Sequence, residues 1–73
     1  MTKDEFEALR AANAGRTETT NDGAYRYEAI VADDGRHIAC AVHSGGSVTY
    51  MTAEKFAARQ KSIAMGRNAL SSF

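Results

Sequence analysis

Seventy-three residues are enough for one domain and too few for two, because a chain of this size buries only about 60% of its extended surface. Nine basic side chains balance nine acidic ones, which excludes an overall field that would draw in nucleic acid or an anionic membrane. Hydrophobic residues make up 44% of the chain, but fourteen of them are Ala, so few side chains can fill a core.

A core this thin calls for a second stabiliser. Cys40 is the only cysteine and cannot close an intrachain disulfide, which leaves self-association as the expected remedy. The first residues, Met1-Thr2-Lys3-Asp4-Glu5, are polar, and no window approaches the roughly 20 apolar residues of a membrane span. No secretory leader and no membrane association are expected, and the expected location is cytoplasmic.

Thr2 and Glu5, three residues apart, form the two halves of a capping box, and Asp4, Glu5 and Glu7 sit where the helix dipole favours negative charge. The pattern predicts a helix over residues 3–14 with Gly15 as its stop. Its apolar stripe is narrow, with Phe6 and Leu9 supported by Ala8 and Ala12. Residues 16–23 are polar and Thr-rich and end in Asn21-Asp22-Gly23, which suits either a loop or an edge strand.

Two alternating runs follow, residues 25–31 and 37–43, with Asp34-Gly35 between them. Asp-Gly in that position predicts a type I′ hairpin, in which both central residues take positive φ. That turn would set Asp33 opposite Arg36, Val31 opposite Ile38, Ala29 opposite Cys40 and Tyr27 opposite Val42. A third strand over residues 47–51 follows Ser44-Gly45-Gly46. A three-residue loop there is preferred, because it brings Val48 and Tyr50 onto the face of Val42 and Cys40; a two-residue Gly-Gly loop would bring Thr49 there instead.

Thr52 is the expected cap of a last helix, with Met51 and Phe56 as a hydrophobic staple. Phe56, Ile63 and Leu70 recur every seven residues along it, and Arg67 in that stripe implies either a snorkelling stem or a break near Gly66. The expected fold is α+β: a meander of three antiparallel strands, or four if residues 16–20 pair, flanked by an N-terminal and a C-terminal helix. Both helices are expected on the face that carries Tyr27, Val31, Ile38, Val42, Val48 and Tyr50.

The candidates for chemistry are thin. His37, Cys40 and His43 are near in sequence, but on one strand the two histidines would share a face about 20 Å apart, with Cys40 pointing the other way. His43 beside Ser44 and Ser47 is the one nucleophile-and-base pairing, and its expected neighbour Arg26 disfavours an imidazolium. Asp33-Asp34 sits at an open hairpin tip, where nothing separates two carboxyl pKa values. Gly45-Gly46 joins strand to strand, unlike a phosphate-binding loop that leads into a helix. No enzyme activity, metal or cofactor is expected.

The face opposite the expected core carries Arg26, Glu28, Ile30, His37, Ala39, Ala41, His43 and Thr49, with small apolar residues in the middle and polar ones around them. Such a patch suits contact with a protein partner, a second copy of the chain included. Unpaired strand edges offer the same through sheet extension. Small domains without an enzyme's cleft are common among phage and mobile-element products that block a larger host complex, anti-CRISPR proteins among them. A small inhibitor or adaptor of that kind is therefore the expected function.

Nucleic-acid binding is the alternative. The order helix, three strands, helix at this length resembles the double-stranded RNA-binding domain over nearly the whole chain. The resemblance implies a basic cluster at the start of the last helix, where residues 51–55 supply Lys55 beside Glu54. Lys55 and Arg59 share a helix face with Lys61 to the side, enough for weak, salt-labile phosphate contacts.

Overall fold

A computed structural model describes residues 1–71, with side-chain surroundings described as far as residue 66. The elements run α1 (Lys3–Ala12), β1 (Thr17–Asp22), β2 (Tyr25–Val31), β3 (His37–Ser44), β4 (Ser47–Thr52) and α2 (Ala53–Ser71). The strands form one antiparallel sheet in the order β1-β2-β3-β4, so the fold is α+β with the meander extended to four strands.

Helix α1 starts where the capping box places it. The Thr2 hydroxyl accepts from the Glu5 amide at 3.1 Å, and a Glu5 carboxylate oxygen accepts from the Thr2 amide at 2.9 Å. The Thr2 amide, with the Thr2 hydroxyl second, holds the Glu5 carboxyl below its ordinary pKa. The helix stops at Ala12, short of the expected end. Asn13 caps it, donating from Nδ2 to the Leu9 carbonyl at 2.8 Å, and Ala14 and Gly15 both take positive φ as the chain turns toward the sheet.

The β2–β3 ribbon keeps the expected pairs Tyr27 with Val42 and Ala29 with Cys40, by an unexpected route. The Gly35 amide donates to the Ala32 carbonyl at 3.0 Å and the Ala32 amide to the Arg36 carbonyl at 2.8 Å. The loop is thus Asp33-Asp34-Gly35, a type I turn completed by Gly35 at φ 86°, and Asp34 keeps negative φ. The Asp34 carboxylate accepts from the Arg36 amide at 3.0 Å, a local bond that secures this turn without a strained aspartate. The extra loop residue is absorbed at once by a bulge. Ile30 pairs with Ala39 but Val31 pairs with His37, and the displaced Ile38 restores the register beyond it. His37 and Ile38 therefore each point to the face opposite the one expected.

The type I′ turn belongs to Gly45-Gly46. Both residues take positive φ, 54° and 86°, and they join Ser44 to its partner Ser47 as a two-residue loop. The preferred three-residue loop is overturned, because two glycines meet the demand of that turn at no steric cost. Val42 faces Thr49, Cys40 faces Met51, and Tyr50 moves to the other side beside Ala41.

The helices do not share a face. Phe6 of α1 is wholly buried against Ile30, Ala39 and Ala41, with Leu9, Ile38 and Tyr50 packed around them. Its ring lies 5.0 Å from that of Tyr50, and Arg10 donates to the Glu28 carboxylate at 2.6 Å beside it. Helix α2 covers the opposite face, where Phe56 and Met51 pack on Tyr27, Cys40 and Val42. Thr52 caps it by accepting from the Lys55 amide at 3.2 Å, and Phe56 meets Tyr27 edge to face at 5.1 Å. The helix runs unbroken through Gly66. The side chains of Arg67 and Leu70, and all of Phe73, lie outside the described residues. Among the described residues no helix is long and apolar enough to cross a membrane.

Truncating Phe6→Ala removes the only buried side chain of α1 and is expected to lower stability by about 3–5 kcal/mol in urea denaturation followed by circular dichroism. Ala41→Glu buries a second carboxylate beneath α1, directly across the strand pair from Glu28, and is expected to abolish the cooperative transition in the same measurement.

Candidate functional site

The sheet face marked for partner binding is the socket of α1. Ile30, Ala39 and Ala41 are buried beneath Phe6, which removes the centre of that patch from the surface. Thr49 and His37 belong to the other face, through the two-residue turn and the Ile38 bulge. Glu28 is half-buried and held by Arg10. Only Arg26 and His43 remain near the surface there, cross-strand neighbours as expected, with Nη2 of Arg26 at 3.3 Å from Nδ1 of His43. A guanidinium only donates, so Nδ1 is the accepting atom of this contact, and Nε2 of the ring is buried without a partner among the described residues.

His37, Cys40 and His43 do not converge, though the sorting differs from the expected one. The bulge places His37 on the α2 face with Cys40, and His43 stands on the α1 face. Nε2 of His37 meets a Glu18 carboxylate oxygen at 3.1 Å on the exposed surface. Among the described residues no group of three His, Cys, Asp or Glu side chains is placed to hold a metal ion. Cys40 is 2% exposed, and burial raises its thiol pKa above the usual value, against smaller opposing effects from a Glu28 backbone hydrogen bond and the Arg59 charge.

Lys55, Arg59 and Lys61 of α2 are placed differently from one another. Arg59 turns toward the sheet, its guanidinium 5.1 Å from the Tyr25 ring centre and 6.0 Å from that of Tyr27, and donates to the Gln60 side chain at 2.6 Å. Lys55 and Lys61 are exposed.

What the structure adds is a groove on the α2 face between α2 and β1. Every residue of β1 is exposed, because its sequence Thr-Glu-Thr-Thr-Asn-Asp gives a helix nothing apolar to bury. Helix α2 therefore leans over β3 and β4 and leaves the β1 side uncovered. Two hollows of about 400 Å³ and 390 Å³ lie there end to end and share Asp22, Tyr27 and Gln60. Tyr27, Ala29, Cys40 and Phe56 form an apolar floor for the first, with Glu18, Thr20 and His37 on its rim. Tyr25, Ile63 and Ala64 line the second.

Sequence reasoning missed Glu18, Thr20, Asp22 and Gln60 as site residues. Once residues 17–22 are read as a strand, Glu18, Thr20 and Asp22 fall at alternate positions on one side, and that spacing is the signal available. No protein-family model, characterised protein or solved structure matches the chain.

The Cys40 thiol supplies a check on the floor of the groove. Its folded pKa is raised, so its contribution to stability is complete below the unfolded thiol value, about 8.5, and is lost as pH rises through the folded value. Chemical denaturation at stepped alkaline pH is expected to show that loss in the wild type and a shallower one in Cys40→Ala. A thiol reagent at pH 8 is expected to label the native protein slowly and the urea-unfolded chain at once.

Proposed function

We propose that this protein is a non-enzymatic binding module, an inhibitor or adaptor that docks on a larger protein through the groove between α2 and β1. One observation carries the reading: an open groove floored by Tyr27, Ala29, Cys40 and Phe56 and rimmed on its β1 side by Glu18 and Asp22. An apolar floor takes the hydrophobic side chains of a partner, and acidic groups at the rim favour basic residues beside them. Products of phage and mobile elements that block a host defence complex are the class of protein this reading places it in.

Nucleic acid is the weaker reading, since Arg59 is committed to the tyrosines and to Gln60.

Affinity capture from host lysate with tagged protein tests the groove. Thr20→Trp adds an indole at the groove wall on an exposed strand position and is expected to abolish capture of whatever partner the wild type retains. Lys61→Trp adds the same bulk at an exposed position of α2 outside the groove lining and is expected to leave capture intact. Equal capture by both variants, each folded by circular dichroism, would reject the groove.

A further inference from the structure

We infer that two copies of this chain join through β1, edge to edge and antiparallel, with Thr19 on the two-fold axis. Strand β1 ends the sheet, and all its residues are exposed. Its outer edge is a row of backbone donors and acceptors that another strand can satisfy.

The backbone identifies which residues are free. The Val31 amide donates to the Arg16 carbonyl at 3.0 Å, and Arg16 with Val31 continues the β1–β2 register of Thr17 with Ile30. In an antiparallel ladder the inward and outward residues alternate, so Arg16, Glu18, Thr20 and Asp22 bond to β2, while Thr17, Thr19 and Asn21 present their N–H and C=O groups outward. A second β1 must oppose outward residues to outward residues. That requirement, with the need to pair five or more residues of each strand, leaves three registers, centred on Glu18, Thr19 and Thr20, and charge decides among them.

With Thr20 on the axis, Glu18 faces the partner's Asp22, twice. With Glu18 on the axis, it faces the partner's Glu18. Like charges directly opposed weaken a strand pair. With Thr19 on the axis neither clash occurs: Glu18 faces the partner's Thr20, and Arg16 faces the partner's Asp22 at both ends of the ladder. These side-chain pairs are the closely spaced, non-hydrogen-bonded ones, where an ion pair has its shortest reach. Arg16 is exposed and engages the Val31 carbonyl at 3.3 Å through Nε, so its terminal nitrogens are directed to no other group among the described residues.

The pairing is isologous and closes on itself as a dimer. Residues opposed across a sheet project to the same side, so the two α2 helices stand on one face of a continuous eight-stranded sheet. The two grooves then open toward each other over the paired β1 strands as one trough. The dimer goes beyond the groove reading and does not depend on it.

Light scattering coupled to size exclusion at low salt tests the dimer. The wild type is expected at the mass of two chains. Arg16→Asp sets Asp against the partner's Asp22 in the one register that had no like-charge clash, and is expected at the mass of one. The double variant Arg16→Asp, Asp22→Arg reverses the pair and is expected to recover two, which also shows that the single variant had not simply unfolded. In an oxidant, Thr19→Cys is expected to cross-link between copies and Thr20→Cys to do so poorly. A wild type with the mass of one chain overturns the inference, and if it still captures a partner through the groove the proposed function stands. A two-chain mass indifferent to Arg16→Asp, or faster cross-linking through Thr20→Cys, overturns the pairing by this edge and register.

Discussion

The β2–β3 ribbon is apolar on both sides, and the rest of the molecule follows from that. Ile30, Ala39 and Ala41 point one way and Tyr27, Cys40 and Val42 the other, and every one of these side chains is buried. A ribbon of this kind cannot leave either face in water, since each exposed apolar area costs about 25 cal/mol per Å². The described residues form two helices, and one goes to each face. The small side chains of Ala39 and Ala41 matter as much as the large ones. They leave a hollow deep enough for the Phe6 ring to sit directly on the sheet, and that contact anchors a helix whose apolar stripe is otherwise narrow.

Covering both faces of the central ribbon consumes both helices. Each of them packs on β3 and β4, and none is left for β1. A bare fourth strand is tolerated because its side chains are Thr, Glu, Asn and Asp, which lose nothing by staying in water. The same polar composition creates the groove, as α2 has no reason to lean toward β1. Fold and candidate site thus have one cause: apolar residues are concentrated in two strands and withheld from the first.

Much of this is legible in the sequence, and the parts that are not share a reason. The capping box, the Thr52 cap, and the pairs Tyr27 with Val42 and Ala29 with Cys40 are local patterns, and each stands as read. The misplaced strand residues all depend on a choice of one residue in a loop. Assigning the type I′ turn to Asp34-Gly35 instead of Gly45-Gly46 moved His37, Ile38, Val48 and Tyr50 to the wrong side, because a one-residue slip inverts a strand. With those four moved, the larger apolar side chains gathered on one face and both helices followed them. The patch of Ile30, Ala39 and Ala41 then looked open, ready for a partner. It has one, supplied by the same chain: the missing information was that small buried alanines mark a place where something large comes close.

The order of the strands in space is their order in sequence, and this sets how the chain can acquire its structure. Each neighbouring pair is closed by a loop of two or three residues, so the sheet assembles by successive local steps with little loop-closure entropy at each one. The helices are different. Helix α1 is made before the strands, yet its hollow is built from β2, β3 and β4, so Phe6 waits in water until β4 has emerged. A helix that precedes the sheet in the chain is therefore among the last elements to reach its place.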